Sequence, residues 1–268
     1  MRSVGLSQEE ARKIWLQEMT WKEVKKACFE SGGIILLPVG STEQHGLHLP
    51  VGTDTYVAIA LAEDAAKHTG VPIAPPLWFG WSPHHMAYPG TVSVRPGVLV
   101  EFLYDIVASL AKHGFSKFII INGHRIANLP WLQLAAERAQ RELGVRVVIF
   151  DPAYMSKEVA DDLGFGPVGH ADEIETSHML YKYPELVRLE EARDHVPHAR
   201  PLYHVDPREL GDTLCYVPSR EEDVAKLAEV SGGAVGRPST SDAEKGRVYH
   251  EHLVARLIQV IEDLRLAR

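Results

Sequence analysis

The chain has 268 residues, 45% hydrophobic and 24% charged, enough to bury a substantial core without cross-links. A net charge of −8 with no Lys/Arg cluster argues against nucleic acid as a partner, and no apolar run approaches the roughly 18 residues of a membrane span. Cys28 and Cys215 stand in unrelated contexts and give no disulfide framework, and the start MRSVGLSQEEARKIWLQ lacks the apolar segment of a signal peptide, so a cytoplasmic protein is expected.

Thr20 is placed to cap a helix through WKEVKKACFES that ends at Gly32-Gly33. The run IILLPV (34–39) is continuously apolar, the mark of a strand buried on both faces. The loop GSTEQHGLHLPVGTD follows, and helical spacing resumes from Asp54 through TYVAIALAEDAAKH to Gly70. VPIAPP (71–76) reads as a second strand, followed by the aromatic and His-rich loop LWFGWSPHHMAYPGT. Pro96 opens the helix PGVLVEFLYDIVASLAKHG, KFIIING is a third strand, LPWLQLAAERAQRELG a helix and VRVVIF a fourth strand. Four strand–helix alternations in about 150 residues predict an α/β layered fold with a mainly parallel sheet. Beyond it, one helix is expected over ADEIETSHMLYKY, a loop-rich stretch over 193–220, and a long amphipathic helix from about Asp242 to Leu266. No repeat and no linker divides the chain, so 1–268 reads as one domain.

In open α/β sheets, ligands bind beyond the carboxyl ends of the parallel strands. There IILLPV delivers Glu43, His45, His48 and Asp54. VPIAPP delivers Trp78, Trp81, His84 and His85. KFIII delivers Asn122, His124 and Arg125, and VRVVIF delivers Asp151 and later His170, Asp172, Glu173 and Glu175. Glu43 and His45 are two apart, so an extended segment points both the same way, and an Asp54 carboxylate at a helix start can return to them and bridge two ions. His and carboxylate donors suit Zn, Mn or a similar divalent ion.

Each residue also has a plainer reading. Glu43 and His45 alone fit a solvated loop, His124 a turn histidine, and Asp54 an N-cap. Trp78 and Trp81 fit a core or an interface, and Glu175 a solvent-facing helix position. There is no HExxH, Walker loop or GxSxG. The convergence of four loops, rather than one signature, points to a metal-dependent hydrolase or lyase.

These residues resemble the creatininase family of metal-dependent hydrolases. The resemblance rests on Glu-x-His-Gly-x-His-x-Pro with Asp nine positions after its first His, a strand ending in Asn-Gly-His, and His-Ala-x-x-x-Glu-Thr-Ser, in that order. It runs from TWKEV to about Pro184. It implies a three-layer α/β/α fold and a homohexamer. It also implies two divalent ions per chain, Zn and/or Mn with Fe as an option. By position, Glu43 and His124 would bind one ion, His45 the other, and Asp54 would bridge them. The creatinine-hydrolysing branch has a further Glu two residues after the Asn-Gly-His histidine, and Ile126 stands there instead. Glu175 is then the better candidate for the missing carboxylate. Glu173 is the weaker one, kept as a candidate catalytic group beside His170, which matches a proton-shuttling histidine of the family.

Two departures bear on substrate. The chain reads NGHRIAN where many members read Asn-Gly-His-Gly-Gly-Asn, and Gly166-Pro167 replaces the Trp-Asp pair of creatinine-specific enzymes. Arg125 offers a planar cationic fork that suits a carboxylate or vicinal oxygens, or else a subunit contact. With Trp81 and His84 it makes the candidate substrate-binding set. The resemblance implies hydrolysis of a small cyclic amide or other non-peptide C–N bond by a metal-bridging hydroxide. The alternatives are C–C hydrolysis of a cyclic polyol diketone such as 3-dehydro-scyllo-inosose, and a non-catalytic metal-binding oligomer. Formamide deformylases and a mycofactocin-processing peptidase belong to the same family.

Overall fold

The computed structural model describes residues 13–197, 208 and 219–266. Three parallel strands, β1 (Ile34–Val39), β2 (Lys117–Asn122) and β3 (Arg146–Phe150), lie in the order β1-β2-β3, with Ile34 opposite Lys117 and Lys117 opposite Arg146. Residues 71–77 run along the free side of β1 but meet it only at single bridges, Leu36 with Ile73 and Val39 with Leu77. The second strand expected from the sequence, VPIAPP, is therefore an extended edge. Pro72, Pro75 and Pro76 have no N–H and cannot sustain a ladder.

Alternate strand residues feed two cores. Ile34, Leu36, Ile119 and Ile121 pack against α2 (Thr53–Thr69), α7 (Glu173–Lys182) and α10 (Ala243–Leu266). Ile35, Leu37, Phe118 and Ile120 pack against α1 (Trp21–Glu30), α3 (Pro96–Lys112) and α4 (Arg125–Leu143). This period-two division makes three layers, helix on sheet on helix. Full burial of each such side chain contributes roughly 1.5–3 kcal/mol. Four short helices complete the described chain: α5 (Pro152–Met155), α6 (Lys157–Asp162), α8 (Glu221–Ala225) and α9 (Leu227–Val230).

Helix ends follow local chemistry. Thr20 and Glu23 form a capping box on α1, and Gly70 and Gly144 close α2 and α4 in left-handed conformation. One boundary differs from the sequence reading. The helix expected from Leu129 begins at Arg125, with Pro130 inside it. The His124 carbonyl accepts from Asn128 N at 3.2 Å, so the first turn forms before the proline. This turn places Arg125 at the head of α4, directly after β2. Most of the 193–220 stretch, with Cys215, and the first 12 residues lie outside the described residues.

Candidate metal centre and active-site cavity

The carboxyl ends of β1 and β2 open onto one buried cluster. After β1 the chain turns through Glu43 and His45, which are 0% and 1% exposed. Glu43 N donates to the Val51 carbonyl, folding the loop back onto the start of α2. Asp54 sits in the first turn of α2, and the N-cap position belongs to Gly52. The Asp54 side chain is therefore free of capping and reaches across to two imidazoles. Its Oδ1 lies 3.1 Å from His45 Nε2 and its Oδ2 lies 3.2 Å from His124 Nδ1. His124 Nε2 lies 3.3 Å from Glu43 Oε2, and His45 Nε2 lies 3.9 Å from Glu175 Oε2. The Asn-Gly-His turn comes this close because position 123 has no side chain. A Cβ there would collide with the Asp54 carbonyl oxygen.

Two sets of donor atoms share Asp54: Glu43, Asp54 and His124 form one, and His45, Asp54 and Glu175 form the other. Glu43 Oε1 and Oε2 and Asp54 Oδ2 are buried with no hydrogen-bond partner. Carboxylate oxygens left dry and without donors are costly, and a divalent cation relieves that cost directly. The donor set, two imidazoles and three carboxylates, is one that Zn or Mn accepts.

The electrostatics say the same. Burial pushes the Glu43 carboxyl up, and Asp54 adds to it, against the pull of His124 and His45. Burial, then Asp172, raises Glu175 to about 8. Burial alone would lower His45, yet Asp54, Glu175 and Glu43 outweigh it and push it up to about 10. Burial likewise opposes His124, which Glu43 and Asp54 raise to about 9. Burial opposes ionisation of Asp54, yet the two imidazoles hold it below the usual carboxylate range. Protons collect at this point because its potential is strongly negative, and a divalent cation meets the same attraction.

Around the cluster, side chains are locked by hydrogen bonds. His45 Nδ1 donates to the Glu43 carbonyl at 3.1 Å, which leaves Nε2 to face Asp54. His170 Nε2 donates to the Gln44 carbonyl at 2.6 Å, so its Nδ1 lone pair points to the cluster, 3.7 Å from Glu43 Oε1. Burial, then His45, holds His170 well below the ordinary imidazole range. A two-sided backbone bridge to Val235 fixes its main chain. Next to it Ala171 is in left-handed conformation (φ 48°), the one non-glycine so placed among the described residues. That turn lets Ala171 N donate to Glu175 Oε2 at 2.6 Å and sets Glu175 towards His45.

Glu173 is not brought into the cluster. Its Oε2 accepts from Gly166 N and its Oε1 from Lys245 Nζ, both at 2.8 Å, so it ties the 166 loop to α10. Of the two candidate carboxylates, the structure brings Glu175 to the cluster and ties Glu173 elsewhere, because α7 turns residues 173 and 175 to different sides. Of the remaining predicted residues, Arg125, Trp81 and His84 all line a cavity of about 400 Å³ whose wall also includes Glu43, Asp54, His124, His170 and Glu175. Its size is that of a small-molecule site. The Arg125 guanidinium stacks over Tyr154 at 4.8 Å, with Nε 3.7 Å from Asp151 Oδ2. Trp78 packs edge-on against Tyr56, and His48 bonds Thr176, both away from the cluster.

Sequence reasoning did not assign several supporting residues. Gln44 Nε2 donates to His85 Nδ1 at 3.0 Å, turning the His85 Nε2–H to Glu43 Oε1 at 3.5 Å. Asn128, fully buried, donates to the Gly40 carbonyl and accepts from Trp81 N and the Trp131 indole. Val235 and its Gly-rich approach carried no signal in the sequence, because their role is to receive another segment's backbone.

The family model described as creatininase, creatinine amidohydrolase, matches residues 17–261. The chain is 31% identical to 3-dehydro-scyllo-inosose hydrolase of Thermotoga maritima, over 94% of this chain and 83% of that protein. It is 27% identical to creatinine amidohydrolase of Pseudomonas putida, over 94% and 98%. A solved creatininase structure described as Mn superposes with a TM-score of 0.78 at 28% identity, covering 94% of this chain and 98% of that one, and a mutant creatininase of Zn-Zn type does so equally.

Proposed function

Because the chain belongs to the creatininase family of hydrolases, we propose that Glu43, His45, Asp54, His124 and Glu175 hold two divalent ions, Zn and/or Mn with Fe as an option, and that the cavity hydrolyses a small cyclic amide or other non-peptide C–N bond. The observation that carries this reading is the division of Asp54, one oxygen to each imidazole, with Glu43 on one side and Glu175 on the other. Bound divalent ions supply Lewis acidity and an acidified water at neutral pH.

The chain's own residues do the rest. His170, neutral and with its Nδ1 lone pair towards the cluster, takes a proton and returns it to the leaving group. The Gln44 carbonyl fixes its ring for that exchange. Arg125, Trp81 and His84 form the wall that holds the substrate.

A second reading is C–C hydrolysis of a cyclic polyol diketone. It is favoured by the likeness to the Thermotoga maritima enzyme and by Arg125 in the cavity wall, a fork suited to vicinal oxygens. In both reactions an activated water attacks a carbonyl carbon, so one metal floor serves either.

Self-association is part of this reading. Trp21, Phe29, Phe102 and Leu134 are exposed on α1, α3 and α4, which lie on one side of the sheet. The family model's span supports a single domain. The buried free thiol of Cys28 suits a reducing cytoplasm, and no helix among the described residues is long and apolar enough to cross a membrane.

The test is metal analysis of the purified chain with turnover of creatinine, a formamide and a cyclic diketo-polyol. About two equivalents of metal and hydrolysis of one substrate class are expected. Absence of bound metal after loading, with no turnover, overturns the reading.

A further inference from the structure

His178 lies three residues after Glu175 on α7, one turn further along the same side of the helix. It is 3% exposed and forms part of the cavity wall. Behind it runs a chain of short hydrogen bonds. His178 Nε2 meets His250 Nδ1 at 2.8 Å, and His250 Nε2 meets Asp64 Oδ2 at 2.9 Å. Asp64 also accepts from Lys182 Nζ at 2.6 Å and Lys67 Nζ at 2.8 Å.

The direction of the protons follows from the far end. Asp64 opposes burial with three cationic or N–H donors, Lys182, Lys67 and His250, which hold it below the usual carboxylate range, so it only accepts. His250 must then donate from Nε2, and its Nδ1, lowered by burial, is the acceptor. His178 must donate from Nε2, which leaves Nδ1 as a lone pair. The ring's hydrogen bond among the described residues is the one from Nε2 to His250, so in the cavity wall that His178 helps to form, Nδ1 is the ring nitrogen left for a ligand. Burial, then His250 and Lys182, keeps the ring neutral.

We propose that His178 Nδ1 is a substrate-binding acceptor, held in one tautomer by His250 and Asp64, that receives an N–H or O–H of the substrate while the substrate carbonyl lies at the Glu43–Asp54–Glu175 floor. The inference rests on the cavity being the hydrolase site. It adds that the substrate carries a hydrogen-bond donor away from the carbonyl attacked, which separates a ureide, lactam or polyol from an unsubstituted ring ketone. His250 and Asp64 are positioning residues, acting through His178.

The two nitrogens can be tested apart. In Asn the amide oxygen can stand where Nδ1 was and the link to His250 is lost. In Gln the amide nitrogen can stand where Nε2 was and the acceptor is lost. With the metal-loaded full chain and creatinine and 3-dehydro-scyllo-inosose as substrates, His178→Gln lowers kcat/KM about tenfold to a hundredfold, mainly through KM, as expected for a lost acceptor. His178→Asn retains more of the wild-type value. Equal losses in both variants, or a wild-type His178→Gln, overturn the proposal.

A second measurement does not depend on turnover. In the Zn-loaded protein labelled with 15N-histidine, the His178 Nδ1 resonance reads as unprotonated and Nε2 as protonated. His250→Phe removes that asymmetry, and creatinine or scyllo-inositol shifts Nδ1. A protonated Nδ1, or an Nδ1 that neither compound moves, overturns the proposal. Failure of the hydrolase reading shows separately, as absent metal and absent turnover in the wild type.

Discussion

The two ends of the cavity are built by different rules. The floor, at the carboxyl ends of β1 and β2, centres on the buried Glu43, His45 and Asp54, and both Glu43 oxygens and Asp54 Oδ2 have no hydrogen-bond partner. The wall beside β3 is made of partly exposed groups, Arg125 over Tyr154 with Lys157 over the same ring. The floor is fixed by backbone: the Gly123 turn, the first turn of α2 and the left-handed Ala171. The wall is fixed by long side chains, Arg125 at the head of α4 and Tyr154 and Lys157 on the short α5 and α6. Metal chemistry tolerates little displacement of its donors, and in the proposed reading substrate choice belongs to the wall. Relatives of nearly equal likeness carry the names 3-dehydro-scyllo-inosose hydrolase and creatinine amidohydrolase.

The division predicts unequal responses to change. The largest belongs to Asp54. Asp54→Ala should remove both ions, seen as loss of metal by elemental analysis, and lower turnover by about three orders of magnitude or more. Retention of both metals would break the comparison, because the floor would not depend on its shared carboxylate. Next is His170→Ala, expected to lower kcat about 10²- to 10⁴-fold with metal content unchanged, the size of a lost proton-transfer group. Metal loss in that variant would make His170 a ligand instead.

Two neighbouring carboxylates sharpen the contrast. Glu175→Gln should weaken metal retention under dialysis against a chelator. Glu173→Gln should leave it unchanged and cost about 1 kcal/mol in denaturant unfolding, from the weakened tie to Lys245.

The pH response separates floor from scaffold. His45 and His124, raised to about 10 and about 9, stabilise the metal-free fold below their unfolded pKa, and that contribution disappears as pH rises through the folded values. Glu175, raised to about 8, is protonated in the fold above its unfolded pKa, so its ionisation destabilises in the same direction. The chelated protein should therefore lose melting temperature between pH 7 and 10. The metal-loaded protein should lose less, because ligands already deprotonated have no proton to release. Parallel curves would argue against this cluster as the metal site.

The smallest effect is expected at the wall. Arg125→Gln should raise KM roughly tenfold, the value of one lost charge-assisted hydrogen bond, with kcat and metal content little changed. A fall in kcat alone would move Arg125 from binding to the chemical step.

The sequence by itself determined the layered fold and the floor. Strand burial, helix periodicity and turn residues are local, and Glu43, His45, Asp54 and His124 follow their strands within a few residues. The edge at 71–77 and the early start of α4 escaped it, since prolines disrupt a ladder and a helix in ways the apolar pattern does not show. Only tertiary structure placed Glu175 beside His45 and Glu173 away from it, because the left-handed residue Ala171 and a lysine from α10 decide which carboxylate reaches the cluster. It alone joined Val235 to His170, and Asp64 and His250 to His178, across up to 186 positions of chain. Such partners carry no spacing signal. They meet because both cores of the sheet are packed, and packing, unlike periodicity, has no period to read.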